Sequence, residues 1–149
     1  MLTTPLHAEH EKLGASFTDF GGWSMPVRYG SDLEEHHQVR NSAGIFDISH
    51  MAEIRIRGEQ AAAFLDYALV SKLSELAISR AKYTLICNDH GAAIDDLIVY
   101  RISEQEFLIV ANAANRHAVV VALTERQEKF SDVEVLDESD DWALIALQG

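Results

Sequence analysis

One cysteine, two prolines and half as many basic as acidic residues set the first limits on this chain of 149 residues. Cys87 has no partner for an internal disulfide, which agrees with a reducing compartment. Lying in an apolar stretch with no basic neighbour to lower its pKa, it reads as core filler rather than a reactive thiol. The scarcity of Lys and Arg, 12 against 24 Asp and Glu, leaves a net charge of −12, which repels a phosphate backbone and an anionic membrane surface. Nucleic acid is therefore excluded as an expected partner. No run approaches the roughly 20 apolar residues of a membrane span. The opening MLTTPLHAEHEK has neither a signal-peptide core nor the Arg-rich character of a transit peptide, so a cytoplasmic location is expected. Pro5 and Pro26 both fall early, and no repeat or low-complexity tract interrupts the remainder.

What is present suits a folded domain. The hydrophobic share is 48%, and the length allows one domain with a proper core, or one domain and a piece of another. Thr4 as N-cap and Pro5 at the first helical position predict a short helix that Gly14 closes, with His7 and His10 on one face. Phe17 to Tyr29 packs aromatics around Gly21-Gly22, a tight turn presenting Trp23 and Met25. Ser31-Asp32-Leu33-Glu34 is a capping box opening a helix to about Asn41. From Ile48 the residues alternate, predicting a strand with Ile48, His50, Ala52, Ile54 and Ile56 on one side and Ser49, Met51, Glu53, Arg55 and Arg57 on the other. After Gly58, the series Ala61, Phe64, Leu65, Ala68, Leu69 has helical spacing. A strand over Phe107 to Ala111, a helix near Ala113 to Glu128, and strands Val133 to Leu136 and Trp142 to Leu147 follow. Helices and hairpins mix without a regular βαβ rhythm, so the expected class is α+β with a mainly antiparallel sheet and flanking helices.

The stretch Tyr83 to Tyr100 carries the chemistry. Apolar residues flank Asn88-Asp89-His90-Gly91, which predicts a β-hairpin. A loop of two or four residues pairs Cys87 with Ala92, Leu85 with Ile94 and Tyr83 with Asp96, and adds Ile94, Ile98 and Tyr100 to the face of Asp96. Two phenols then flank one carboxylate over about 13 Å, the span of a flat heteroaromatic ligand. Asp95 faces the other way. A loop of three or five residues would put Tyr83 and Asp96 on opposite faces. Adjacent Asp95 and Asp96 also suit a solvated strand entry, and the tyrosines a half-buried sheet. The histidines, His7, His10, His36, His37 and His50, supply no third dedicated ligand at metal-site spacing, so no metal is expected.

Three blocks taken together, FGGWSMPVRY (20–29), AGIFDISHM (43–51) and YTLICNDHGAAIDDLIVYR (83–101) followed by ANAAN (111–115), resemble the glycine cleavage T-protein family. The likeness starts at Thr4-Pro5-Leu6 and runs in order to Leu147-Gln148-Gly149, where members of that family continue. The resemblance implies an N-terminal portion of a three-lobed folate-binding fold. Residues 1–50 and 137–149 would be two pieces of an unfinished first lobe, and residues 51–136 a ferredoxin-like second lobe. It further implies a tetrahydrofolate-dependent aminomethyltransferase that takes the aminomethyl carbon from lipoylated H-protein, releases ammonia and yields 5,10-methylenetetrahydrofolate. Asp96 matches the catalytic aspartate, Tyr83 and Tyr100 match pterin-pocket positions, Asn112 a folate hydrogen-bonding position and Met51 a pocket-lining residue. The residues alone suit Asn112 equally as a helix cap.

A folate-binding relative that demethylates or assists iron–sulfur assembly, and a non-catalytic acidic module binding a protein through Phe20 to Tyr29, are the alternative readings. The chain by itself is expected to be inactive. Its apolar final strand, Trp142 to Gly149, also predicts self-association.

Overall fold

The computed structural model describes residues 1–149 as two compact units, one of Met1–His50 with Asp141–Gly149 and one of Met51–Asp140. In the first unit, α1 (His7–Lys12) begins later than the sequence predicts. Thr4 does not cap it: its hydroxyl donates to Asp47 Oδ2 at 2.6 Å, a charged acceptor that outcompetes the helix amides. Strands β1 (Ser16–Phe20) and β2 (Trp23–Arg28) form a hairpin. Gly21 and Gly22 supply the two positive φ values, 60° and 90°, of its two-residue turn. Helix α2 (Asp32–Asn41) starts at Ser31, whose Oγ accepts from the Glu34 N–H at 3.4 Å. Glu35 rather than Glu34 reaches back, accepting from the Tyr29 and Gly30 amides at 2.8 and 2.9 Å.

The strand expected from Ile48 begins only at Ala52, and a separate strand precedes it. β3 (Gly44–Asp47) ends where Asp47 Oδ1 accepts from the Ser49 N–H at 2.9 Å, an Asx turn that breaks the extended run. Extended pairing resumes in the second unit at β4 (Ala52–Arg57).

The second unit continues through α3 (Ala61–Ala68), β5 (Ala81–Cys87), β6 (Ala93–Arg101), β7 (Glu106–Ala111), a 3-10 turn (Ala113–Asn115), α4 (Arg116–Gln127) and β8 (Glu134–Asp137). Its sheet order is β5-β6-β7-β4-β8, antiparallel throughout. Strands β6, β7, β4 and β8 with α3 and α4 form the ferredoxin-like arrangement, and β5 is an added edge. One sheet face carries Ile54, Ile56, Val99, Phe107 and Ile109, all fully buried with Phe64 and Leu65 of α3 and Val119 and Leu123 of α4. Burial of each such side chain stabilises by roughly 1.5–3 kcal/mol. Back in the first unit, β9 (Ile145–Gln148) pairs antiparallel with β3. This ribbon has two strands only, and Ile45, Ile145 and Leu147 are exposed on it.

The hairpin register differs from the sequence reading. Asp96 pairs with Leu85 and Tyr83 with Ile98. The loop closes over five residues: Asn88 N–H donates to the Ala92 carbonyl, while Asn88 Oδ1 accepts from the His90 and Ala92 amides, each at 3.0 Å. That length alone would have turned Tyr83 and Asp96 to opposite faces. A β-bulge restores the phase, since Ile86 pairs with Asp95 and Cys87 with Ala93, leaving Ile94 as the extra residue. Ile94 consequently packs against the core instead of joining Asp96.

Candidate functional site

The sheet face opposite the helices is ordered in rows. Glu53 pairs with Val110, Val110 with Ile98 and Ile98 with Tyr83; beside them Arg55 pairs with Leu108 and Leu108 with Tyr100. Directly opposed residues share a face, so all of these project from one side of the sheet. Asp96 lies on that side too, two positions before Ile98 on β6. Toward the β4 side the face is covered, with Glu53 and Arg55 buried. Toward the hairpin it is open, with Tyr83 62% and Tyr100 40% exposed.

Tyr83 reaches diagonally, as a long aromatic side chain can, and its hydroxyl donates to Asp96 Oδ2. The other carboxylate oxygen is held by Asn112, whose amide nitrogen lies 2.8 Å from Asp96 Oδ1 and 3.0 Å from the Asp96 carbonyl. All its neighbours there are acceptors, which fixes the NH2 end toward them. The Tyr83 bond holds the Asp96 carboxyl below the ordinary aspartate range, with Asn112 adding to it against the opposing pull of desolvation. The same bond pushes the Tyr83 phenol up. Asp96 is thus a fixed carboxylate, open to solution, kept ionised by two donors.

At Asn112 the structure decides against the helix cap. The residue stands just before the 3-10 turn, where a capping side chain was an equal expectation, yet it makes no cap hydrogen bond. Its amide is spent instead on Asp95 and Asp96. Met51 opens the second unit in the bend just before β4, half-buried, and has no polar contact with this cluster. Tyr100 shares the face of Asp96 without touching it through a hydrogen bond. One participant lay outside the sequence reading: Asn115, which donates to Asp95 Oδ1 at 2.6 Å. The Asn-Ala-Ala-Asn spacing at a strand exit was the available signal for it.

The chemistry is that of an accepting carboxylate beside a flat apolar platform. Tyr83, Ile98 and Tyr100 offer ring and aliphatic contact suited to a planar heterocycle, and the phenols add polar tips. Asp96 can stabilise a cation forming above it or take a proton from a weak nitrogen base. In the first unit, His10 is not available as a metal ligand: its Nε2 lies 2.8 Å from Asp47 Oδ2 and its Nδ1 2.7 Å from the Tyr29 hydroxyl. No helix is long and apolar enough to cross a membrane.

Comparison with known proteins gives a consistent set of relatives. The family model for the GCVT N-terminal domain matches residues 6–149. An aminomethyltransferase of Corynebacterium jeikeium is 60% identical over 98% of this chain and 37% of its own length. One of Saccharopolyspora erythraea is 57% identical over 98% of this chain and 40% of its length. Among solved structures, the glycine cleavage system aminomethyltransferase T of Bartonella henselae superposes with a TM-score of 0.88 at 40% identity, covering 99% of this chain and 40% of that one. The chain therefore spans about two fifths of the length of the curated relatives it matches.

Proposed function

Because this chain belongs to the GCVT N-terminal domain family, we propose that it is the N-terminal part of an aminomethyltransferase of the glycine cleavage system, acting in the cytoplasm on tetrahydrofolate and lipoylated H-protein. The observation that carries this reading is the Tyr83–Asp96–Asn112 cluster beside an open aromatic face. In the proposed reaction the carbon–sulfur bond to the lipoyl arm and the carbon–nitrogen bond to the departing ammonia both break. Two folate nitrogens take the carbon, giving 5,10-methylenetetrahydrofolate and the reduced arm. Asp96, ionised, stabilises the iminium-like cation through which the carbon passes and receives the proton that the attacking nitrogen loses. Tyr83 and Tyr100 hold the flat ring of the folate, Asn112 orients Asp96 through its NH2 and offers its side-chain carbonyl oxygen to the same ligand, and Met51 lines the pocket.

A chimera tests this directly. Residues 1–149 replace the matching 37% of the C. jeikeium aminomethyltransferase, and methylenetetrahydrofolate formation is followed with lipoylated H-protein and glycine-loaded donor. Turnover within about tenfold of the parent relative is expected, and none from the 149 residues alone. A folded chimera that binds tetrahydrofolate but transfers no carbon would instead favour a different use of the same folate site.

The two-stranded β3–β9 ribbon is proposed to associate with a second copy of the chain, since exposed Ile45, Ile145 and Leu147 lie on an open edge. Light scattering should report a mass that rises with concentration. A strictly monomeric mass at high concentration counts against it.

A further inference from the structure

Asp95 is buried, 4% exposed, on the side of β6 opposite to Asp96, and it makes no contact with the open face. Three donors converge on its two oxygens. The Asn112 N–H reaches Oδ2 at 2.9 Å, the Asn112 side-chain amide reaches Oδ1 at 2.9 Å, and the Asn115 amide reaches Oδ1 at 2.6 Å. The donors come from the segment between β7 and α4, so Asp95 fastens that segment to β6. Asn112 is gripped twice, through backbone and side chain, and the group so gripped is the one that holds Asp96 Oδ1.

We propose that Asp95 is a positioning residue for Asp96, acting through Asn112: the adjacent carboxyls do different work, one exposed to the ligand and one aiming the amide that orients it. The inference rests on the functional reading of Asp96 but is tested apart from it. Asparagine at 95 can accept on one oxygen only and turns an NH2 group toward a donor, so Asp95→Asn releases at least one of the three bonds.

The direction of the effect separates positioning from charge. Removing a neighbouring negative charge makes Asp96 easier to ionise and lowers its titration midpoint. Losing the Asn112 donor makes it harder and raises the midpoint.

The experiment is carboxyl carbon NMR titration of Asp96 in the 149-residue chain, with amide dispersion reporting the fold. Asp95→Asn should raise the Asp96 midpoint by roughly half a unit, and Asn112→Ala by a similar amount. The double variant should add nothing further, because both changes remove one bond. An unchanged or lowered midpoint in folded Asp95→Asn overturns the proposal. Should that variant not fold, Asn115→Ala decides, since it removes one of the two donors on Asp95 Oδ1, loosens the carboxyl that grips Asn112 and leaves its charge: a small upward shift is expected, and none overturns the proposal. In the chimera, Asp95→Asn should lower kcat with little change in KM for tetrahydrofolate. A raised midpoint with unaltered kcat would leave Asp95 positioning Asp96 and refute the role of Asp96 instead.

Discussion

Asparagine in place of aspartate at position 96 should leave the fold intact and cut carbon transfer in the chimera by roughly 10²–10⁴-fold. The fold is spared because Asp96 lies on the open face, outside the core of the second unit. Its neighbours on β6, Leu97 and Val99, keep their burial, and pairing of β6 with β5 and β7 is a backbone matter. The chemistry is not spared. Tyr83 and Asn112 both donate to the carboxylate. An asparagine offers one accepting oxygen to Asn112 and an NH2 group toward Tyr83, so the phenol must turn from donor to acceptor. The amide also lacks the charge that stabilises a cation and the basicity that takes a proton. The loss should fall on kcat, with KM for tetrahydrofolate nearly held, because the contact surface of Tyr83, Ile98 and Tyr100 is untouched. Turnover near that of the unsubstituted chimera would remove Asp96 from the reaction.

That site was legible in the sequence through a side-chain parity that survived a wrong register. Turn chemistry at Asn88 to Gly91 identified the hairpin, but not that Asn88 would collect two amides and widen the loop to five residues. Nor does any residue pattern announce a bulge at Ile94. The two departures together moved the partner of Asp96 by two positions, from Tyr83 to Leu85, and a shift of two preserves the face. The phenol then reached the carboxylate diagonally. Local capping was harder to read, because long-range acceptors compete for the same donors. Thr4 serves Asp47, and Asn112 serves Asp95 and Asp96, where short-range rules offered helix ends. The core of the second unit followed from periodicity alone: Ala61, Phe64, Leu65 and Ala68 are buried at the spacing the sequence predicts. The alternation begun at Ile48 had the phase of β4 right, but ran across an Asx turn that only the position of Asp47 encodes.

The same alternation assigned Glu53 to the noncore side of β4 without indicating its burial, and from that burial a large pH effect follows. Glu53 is 1% exposed, and neither carboxyl oxygen has a hydrogen-bond partner. Its backbone N–H is tied to Ser139 Oγ at 3.0 Å, so the residue cannot easily shift toward water. Burial pushes the carboxyl up to about 7; the Arg116 guanidinium opposes the rise, while Asp137 and Asp140 add to it. Arg116 is already committed, donating to Asp137 at 2.8 Å and to both oxygens of Asp140 at 2.9 and 2.8 Å. Between the ordinary glutamate value and about 7 the folded chain keeps a proton that the unfolded chain has released. Stability therefore falls as pH rises through that window and levels off above it. The displacement corresponds to about 3 kcal/mol. Glu53→Gln keeps the shape and cannot ionise, so its unfolding free energy should lack this decline. Urea denaturation at constant salt from pH 4 to pH 8 should find the variant close to the native sequence at the acid end and more stable by about 3 kcal/mol at the alkaline end. Asp47, Asp96, Asp137 and Asp140, all held below the ordinary range, act in the opposite sense on the acid side. They do so in both proteins, so the difference between the two curves isolates position 53. Parallel curves would mean that water or a rearranged Arg116 reaches Glu53 in solution and that its carboxyl ionises at no cost to the fold.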